Sequence, residues 1–185
     1  GGIKWARSPK LGCSMSSNDI ERLKQEYARR ALDTEKDYSP ANPVQAFILS
    51  QRHTALQALL KEHHLQDLSS LRILEMGCGS GGVLRELIQL GASANNLFGI
   101  DLLSDRLKLA HSQIPSANLS NADGQRLPYL PGALDLVLQF TAFSSILDPQ
   151  VKHNMAGEML RVLKPSGALI WYDFWWNPTN KQTKG

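Results

Sequence analysis

The fold is decided by one stretch of the chain, Ile73-Leu74-Glu75-Met76-Gly77-Cys78-Gly79-Ser80-Gly81-Gly82. An apolar run, 71–76, ends there in a burst of glycine and leads into a helix-like segment. Glycine suits a turn whose backbone takes unusual dihedral angles or comes close to a ligand. A helix that begins after such a turn directs free N–H groups and the positive end of its dipole toward the same place. The stretch therefore predicts a buried strand, a ligand-binding loop and a helix N-terminus.

From residue 71 onward, short apolar runs alternate with segments of helical periodicity. The apolar runs are 71–76, 97–100, 117–119, 134–140 and 168–174. The segments with helical spacing are 82–90, 104–112 and 152–163. Alternating helices and buried strands are typical of a parallel sheet with right-handed crossovers. The sequence predicts a doubly wound α/β domain over residues 71–174, with a mostly parallel sheet of about five strands.

The residues before this domain read as an N-terminal helical cap, 15–70. Helical spacing predicts one helix from about residue 20 and a second over about 44–63, with Asn42 as its cap and Pro43 at its first position. The apolar side chains of the second helix that we expect to face inward are Phe47, Leu49, Ala55, Leu56, Leu59 and Leu60. We interpret residues 1–14 as a vector-derived or flexible leader and 175–185 as a tail.

Composition and charge exclude several classes of function. The net charge of +3 is too small to indicate binding to nucleic acid or to an anionic membrane. Cys13 and Cys78 lie far apart and suggest no disulfide framework. No apolar run could span a bilayer, no signal peptide is evident, and the five histidines show no metal-ligand spacing. We expect a cytoplasmic protein with no metal ion and no nucleic-acid or membrane partner.

Three glycines, Gly77, Gly79 and Gly82, follow the spacing of dinucleotide-binding loops. Asp101 stands at the end of the next predicted strand. A carboxylate at that strand end can accept hydrogen bonds from the ribose hydroxyls of an adenosine. This pattern is compatible with NAD, with FAD and with an adenosyl-sulfonium cofactor.

Two further carboxylates favour the sulfonium cofactor. Glu75 lies two residues before the glycine loop, where it would be unfavourable beside a pyrophosphate but suits a cationic amino group. Asp123, within Asn121-Ala122-Asp123-Gly124, follows the third predicted strand. It places an acceptor near an adenine edge, whose exocyclic amine is a donor.

The order of these motifs resembles the class I S-adenosylmethionine-dependent methyltransferases of the small-molecule type. The resemblance covers about residues 71–174. It rests on Glu75-Met76-Gly77-Cys78-Gly79-Ser80-Gly81, Gly99-Ile100-Asp101-Leu102, Asp123-Gly124, the fourth strand 134–140 and the helix, turn and strand of 161–170. It implies a Rossmann-like fold, S-adenosyl-L-methionine as cofactor and S-adenosyl-L-homocysteine as product.

The resemblance also implies roles for individual residues. The glycine loop would wrap the methionine part of the cofactor, Asp101 would bind the ribose, and Asp123 would accept from the adenine amine. The cofactor-binding residues implied in this way are Glu75, Gly77, Cys78, Gly79, Ser80, Gly81, Asp101, Leu102, Asp123, Gly124 and Gln139.

The methyl acceptor is expected to be a small molecule. Residues 139–143, Gln-Phe-Thr-Ala-Phe, stand where many enzymes that methylate nucleic acids or some proteins carry Asn-Pro-Pro-Tyr or Asp-Pro-Pro-Tyr. Methyl transfer by in-line displacement depends mainly on positioning. The candidate acceptor-binding residues are Tyr38, Arg52, Thr141 and Tyr172. No residue is assigned as a general base, although Gln139 and Asp173 also lie near the expected methyl site.

Members of the family usually carry two more strands after the fifth, and the sequence ends soon after residues 168–176. That segment would then be an apolar edge strand, which predicts self-association through it. Two other functions stay open at this stage. One is an inactive or truncated module that binds a cofactor or a partner, and the other is an NAD-dependent oxidoreductase.

Overall fold

The computed structural model describes residues 21, 22, 24, 25 and 42–173. The predicted leader, 1–14, and tail, 175–185, lie outside these residues, as does Tyr38. The helices of residues 42–173 are α1 (Pro43–Glu62), α2 (Gly82–Gln89), α3 (Ser104–Gln113) and α4 (Pro149–Val162). The strands are β1 (Ile73–Met76), β2 (Leu97–Asp101), β3 (Asn118–Asn121), β4 (Leu134–Phe140) and β5 (Leu163–Tyr172). Short 3-10 turns cover Ala94–Asn96 and Phe143–Ser145.

The five strands form one sheet in the order β3-β2-β1-β4-β5, and every neighbouring pair is parallel. This arrangement confirms the predicted Rossmann-like sheet. The chain passes from β3 at one edge to β4 beside β1, so the strand order reverses between β1 and β4. In open α/β sheets, ligands bind outside the carboxyl ends of the strands at such a reversal. The fold therefore directs attention to the segments that follow β1, β2 and β4.

Apolar side chains cover both faces of the sheet. One face, with Leu74 and Met76 of β1, packs against Met155 and Met159 of α4. The other face packs against α1, α2 and α3. Its buried members include Leu56, Leu60, Ile73, Leu84, Leu87, Leu107, Leu136 and Leu138. Burial of both faces explains why the central strands read as continuous apolar runs rather than as alternating ones.

Helix α1 has the predicted start but not the predicted inward face. The side chain of Asn42 accepts a hydrogen bond from the Val44 N–H at 2.9 Å, and Pro43 occupies the first turn. Leu56 and Leu60 are buried, as expected. The other four positions expected to face inward were predicted wrongly, since Phe47, Leu49, Ala55 and Leu59 are exposed. Only the second half of α1 packs on the sheet.

Strand β5 begins earlier than the apolar run 168–174 suggested. It follows α4 directly, and the pairing steps from Leu134–Leu163 to Leu136–Ala168, so residues 164–167 form an irregularity against β4. A Cβ on Gly167 would lie 2.9 Å from the carbonyl oxygen of Asp135, which explains the glycine there. Among the described residues, β5 has β4 as its one neighbouring strand, so it is an edge of the sheet.

An ion pair fastens the loop after β3 to α4. Glu158 accepts the Leu127 N–H at 2.7 Å and pairs with Arg161, which also donates to the carbonyl oxygens of Leu127 and Tyr129. Burial acts to raise the pKa of Glu158, but the hydrogen bonds from Arg161 and Leu127 outweigh it and lower that pKa. The carboxylate therefore contributes stability above its unfolded pKa, near 4.3, which is lost as pH falls.

We expect Glu158→Gln to lower the free energy of unfolding by about 1–3 kcal/mol at pH 7, since a charged hydrogen-bond acceptor is lost. The difference in the free energy of unfolding between the variant and the parent protein should become smaller as pH falls below about 4. Urea denaturation at both pH values measures this, with the exposed Asp105→Asn as the control. A difference that stays the same at both pH values would contradict the assigned role.

Candidate functional site: a glycine loop at the carboxyl edge of the sheet

The glycine loop between β1 and α2 is held against β2 by backbone hydrogen bonds. The N–H groups of Gly77 and Cys78 both donate to the carbonyl oxygen of Ile100 at 2.9 Å. The φ angles of Gly77, Gly79 and Gly81 are +75°, +53° and +80°. Side chains with a Cβ rarely adopt this conformation, so the loop requires glycine at all three positions.

The three glycines face different neighbours. A Cβ on Gly77 would lie 2.7 Å from the Cβ of Ala142, in the segment after β4, and one on Gly81 would lie 3.2 Å from Ala110 of α3. A Cβ on Gly79 would instead lie 2.4 Å from Nη2 of Arg106. Gly77 and Gly81 thus allow close packing of the protein on itself, whereas Gly79 faces the end of a flexible side chain.

Asp101, at the end of β2, holds the loop in place. Its Oδ2 accepts the Gly79 N–H and its Oδ1 accepts the Leu103 N–H, both at 2.8 Å. The side chain is buried. Each carboxylate oxygen retains acceptor capacity for a ligand hydroxyl. The half-buried Leu102 adjoins it, as the resemblance requires of a residue beside an adenine ring.

Glu75 carries a buried carboxylate on β1, directly before the loop. The residue is 3% exposed, and its Oε2 accepts no hydrogen bond from the described residues. Burial raises the pKa of Glu75 well above its usual range, and the charges of Arg52 and Arg106 oppose that shift. A hydrogen bond from the Leu84 N–H also opposes it. A buried acceptor without a donor is rare in native proteins and suggests a donor supplied by a ligand.

Cys78 points away from the site. Its Sγ would lie 2.8 Å from a Cβ on Gly99 of β2, so the thiol is packed against that strand. Burial raises its pKa, and the charges of Glu75 and Asp101 raise it further. Cys78 is therefore not a reactive thiolate, and it contributes its backbone N–H to the loop. Ser80, next along, is partly exposed in the loop.

The segment after β3 forms a tight turn around Asp123. The Asp123 side chain accepts the Gln125 N–H at 2.9 Å, which fixes the carboxylate at the carboxyl edge of the sheet. Gly124 is buried, and a Cβ there would lie 2.8 Å from Cε of Met155. Its lack of a side chain thus serves packing against α4. The turn leaves the Asp123 carboxylate in a position where it could also accept from a ligand amine.

Gln139 near the end of β4 is held in one orientation. Its Nε2 donates to Oδ2 of Asp173 at 2.9 Å, and the same oxygen accepts the Ser144 N–H at 3.0 Å. Because a carboxylate only accepts, the amide nitrogen must face Asp173. The Gln139 Oε1 is buried and receives no hydrogen bond from the described residues. Asp173 is therefore a positioning residue for Gln139 and for the segment after β4.

Thr141 and Tyr172 end the two strands beside this cluster. Thr141 has a φ of +60°, a strained conformation for a β-branched residue, and its N–H donates to the Tyr172 carbonyl oxygen at 2.8 Å. Tyr172 is 37% exposed, and the centroid of its ring lies 5.4 Å from that of the Phe140 ring. The structure thus brings two of the predicted acceptor-binding residues together.

Arg52, a third predicted acceptor-binding residue, is engaged within the protein. Its Nη2 donates to Oε2 of Glu86 at 2.6 Å, and Nδ1 of His53 lies 3.0 Å from the other oxygen of that carboxylate. The Arg52 guanidinium also lies 5.5 Å from the Phe140 ring centroid. This partly buried ion pair fastens α1 to α2 and sets a positive charge near Glu75.

Two described residues that precede α1, Arg22 and Lys24, lie near this edge of the sheet. Nη2 of Arg22 donates to the carbonyl oxygen of Ser145 at 2.9 Å, after β4. At the start of α3, a hydrogen bond from Lys108 lowers the pKa of Asp105, and the charge of Lys24 lowers it further. Arg22 therefore contacts the β4 side of the site, and Lys24 lies near the start of α3, which follows β2.

Sequence reasoning missed Arg22, Glu86 and Arg106. Glu86 had a local signal, because it lies on the same helical face as the buried Val83 and beside Leu87. No comparable signal identifies Arg22 or Arg106, whose contacts depend on the fold. Within residues 42–173 and the described positions of 21–25, no cluster of three or more candidate ligands could hold a metal ion. None of the helices in those ranges has the length and apolar character that a membrane crossing requires.

Comparison with known proteins agrees with this geometry. Residues 73–167, about half of the chain, match the family described as "Methyltransferase domain". A phthiotriol/phenolphthiotriol dimycocerosates methyltransferase of Mycobacterium leprae is 33% identical over 117 residues, which cover 62% of this chain and 41% of that protein. The sterol 4-C-methyltransferase strm-1 of Caenorhabditis elegans is 27% identical over 130 residues, or 64% of this chain and 37% of that protein.

A solved structure extends the comparison. The S-adenosylmethionine-dependent methyltransferase of Methanosarcina mazei is 26% identical with a TM-score of 0.53, over 60% of this chain and 55% of that one. The chain spans about two-fifths of the length of the curated relatives that it matches. Given the family match, the parallel sheet and the glycine loop, the chain belongs to the methyltransferase-domain family, as a class I S-adenosylmethionine-dependent methyltransferase domain.

Proposed function

We propose that this protein transfers a methyl group from S-adenosyl-L-methionine to a small-molecule acceptor by in-line displacement. One observation carries the proposal. The buried Oε2 of Glu75 lacks a donor among the described residues, and Glu75 lies directly before a glycine loop whose Gly79 N–H is held by Asp101. A cationic amino group would supply the missing donor, while both oxygens of the nearby Asp101 already accept backbone N–H groups.

The residues of the site fit this cofactor. Asp101 has acceptor capacity for the ribose, Leu102 is available beside the adenine, and Asp123 can accept from the adenine amine. The backbone of Gly79 allows close approach. When bound, the cofactor supplies an activated methyl group on a sulfonium centre, so the protein needs chiefly to orient the acceptor and to exclude water.

The acceptor is proposed to approach over the ends of β4 and β5. The partly exposed Tyr172 and the ring of Phe140 give this region an aromatic wall, and the strained Thr141 marks a constrained backbone there. Relatives named for phthiotriol dimycocerosates and for a sterol support an acceptor with a large apolar part. Arg22, whose guanidinium reaches Ser145 after β4, and α1 would belong to a lid over it.

The test is formation of S-adenosyl-L-homocysteine, measured by mass spectrometry over a panel of sterols, lipids, phenols and amines. The melting temperature, measured with S-adenosyl-L-homocysteine and with NADH, distinguishes a methyltransferase from an oxidoreductase, since only a true ligand stabilises the fold. The inactive-module alternative predicts stabilisation by S-adenosyl-L-homocysteine with no product from any acceptor. The family match favours the methyltransferase over both alternatives.

We expect Asp101→Ala to weaken S-adenosyl-L-homocysteine binding by about 1–3 kcal/mol. The change removes the acceptor for a ribose hydroxyl and releases the N–H groups of Gly79 and Leu103. Titration calorimetry measures the effect. Asp105→Ala, an exposed acid four residues along, is the matched control. Equal affinity in the two variants would count against this placement of the ribose.

Three further expectations stay predictions. They are the cytoplasmic location, the absence of a nucleic-acid partner and self-association through residues 168–176. For the last, β5 is an edge strand with Trp171 and Tyr172 partly exposed. Light scattering over a range of concentrations tests it, and a constant monomeric mass would contradict it.

A further inference from the structure

A guanidinium group lies against Gly79 of the glycine loop. A Cβ atom built on Gly79 would lie 2.4 Å from Nη2 of Arg106 and 2.7 Å from its Cζ. These distances place the guanidinium against the Gly79 backbone. Arg106 belongs to the first turn of α3, and the residue is half-buried. A ligand that approaches Gly79 must therefore meet this guanidinium first.

The same guanidinium lies close to the acids of the site. The Gly79 N–H donates to Asp101, so the glycine against which the guanidinium lies is also the one that this carboxylate holds. Burial raises the pKa values of Glu75 and Cys78, and the charge of Arg106 acts against both shifts. A buried carboxylate with no compensating charge is costly. Arg106 therefore supplies positive charge to a region that holds two buried acids.

We propose that Arg106 is an internal counterion of the cofactor site, which compensates Glu75 and Asp101 in the cofactor-free protein and is displaced by the ammonium group that S-adenosyl-L-methionine and S-adenosyl-L-homocysteine share. The inference rests on the proposed function. Displacement needs no backbone change, because it is the far end of a long side chain that touches Gly79. The apparent dissociation constant is then the intrinsic one divided by the fraction of molecules in which the guanidinium has moved aside. Arg106 would thus determine cofactor affinity.

Arg106→Met tests this proposal with S-adenosyl-L-homocysteine as the probe in titration calorimetry. We expect the variant to bind about 3- to 10-fold more tightly than the parent protein, because the competing cation is gone. Its melting temperature without ligand should fall, whereas with saturating S-adenosyl-L-homocysteine it should equal that of the parent protein. A purely structural role for Arg106 would lower both temperatures alike.

Lys108→Met is the matched control. It removes a positive charge from the same helix, and Lys108 is exposed and pairs with the exposed Asp105. Its affinity should stay within about twofold of the parent value, since exposed pairs contribute little. Unchanged binding by Arg106→Met would overturn the proposal. Weaker binding would overturn it too, because it would show that the guanidinium contacts the bound cofactor. Failure of both the parent protein and Arg106→Met to bind would instead refute the proposed function.

Discussion

Replacing Gly79 with valine is expected to abolish S-adenosyl-L-homocysteine binding while the protein still folds. Gly79 has a φ of +53°, where a β-branched residue costs about 1–3 kcal/mol. The new Cβ would lie 2.4 Å from Nη2 of Arg106, and the valine methyl groups would extend into the same space. The guanidinium can move aside, but the methyl groups then occupy the face that the cofactor needs. We expect affinity to fall more than about 100-fold, or about 2.7 kcal/mol.

Gly91→Val is the control that separates the backbone strain of a positive φ from the blocking of the cofactor by the valine side chain. Gly91, after the end of α2, has a φ of +101°, and a Cβ there would meet nothing within 4 Å. Urea denaturation should therefore show a comparable loss of stability in both variants, and calorimetry should show a loss of affinity only in Gly79→Val. If both variants bind like the parent protein, the cofactor does not approach Gly79.

The strands of the sheet could be predicted because their signals are local. The four apolar runs that became β1 to β4 lie within two residues of the observed strands, and the glycines that follow β1 mark the loop directly. Burial on both faces makes β1, β2 and β4 nearly continuous apolar runs, so periodicity was not needed to find them. Strand β3 is exposed or half-buried, and its apolar run is short. The start of strand β5 was predicted less accurately. The residues 164–167 resemble a turn, yet they form an irregularity within a strand that already pairs at Leu163.

The inward face of α1 could not be predicted, for a physical reason. Apolar residues are spread around this helix, so its sequence does not indicate which side meets the sheet. The structure buries Leu56 and Leu60 and leaves Phe47 63% exposed. Arg52 and Glu86, whose partly buried ion pair fastens the helix to α2, lie 34 residues apart in sequence. Contacts of that kind depend on the packing of two helices, which a single sequence does not reveal.

Some residues of the candidate site could likewise be predicted from local sequence, and others could not. Glu75, the loop glycines and Asp101 could be predicted because they stand at fixed places in short sequence motifs. Arg106 could not be found from the motif. Its role depends on how far its side chain extends from α3 over a loop some 27 residues away in sequence, a distance that periodicity does not encode.

Glu75→Gln is expected to raise stability and to weaken cofactor binding together. Burial raises the pKa of Glu75, so its ionised form opposes folding as pH rises through that pKa, and an uncharged isostere removes the cost. The same change removes the carboxylate proposed to pair with the cofactor's ammonium. A hydrogen bond to a charged group contributes about 1.5–3 kcal/mol, so S-adenosyl-L-homocysteine affinity should fall about 10- to 150-fold.

Glu86→Gln provides the contrast, because Glu86 is also buried but is paired with Arg52 and His53. Loss of its charge leaves Arg52 uncompensated, so this variant should be less stable. Denaturation and calorimetry on both variants should therefore give stability changes of opposite sign. The parent protein should also bind more weakly as pH falls through the raised pKa of Glu75, and Glu75→Gln should lack that dependence. If Glu75→Gln instead loses stability and keeps its affinity, Glu75 supports the fold rather than the ligand. The site would then have no subsite for the ammonium group of the cofactor.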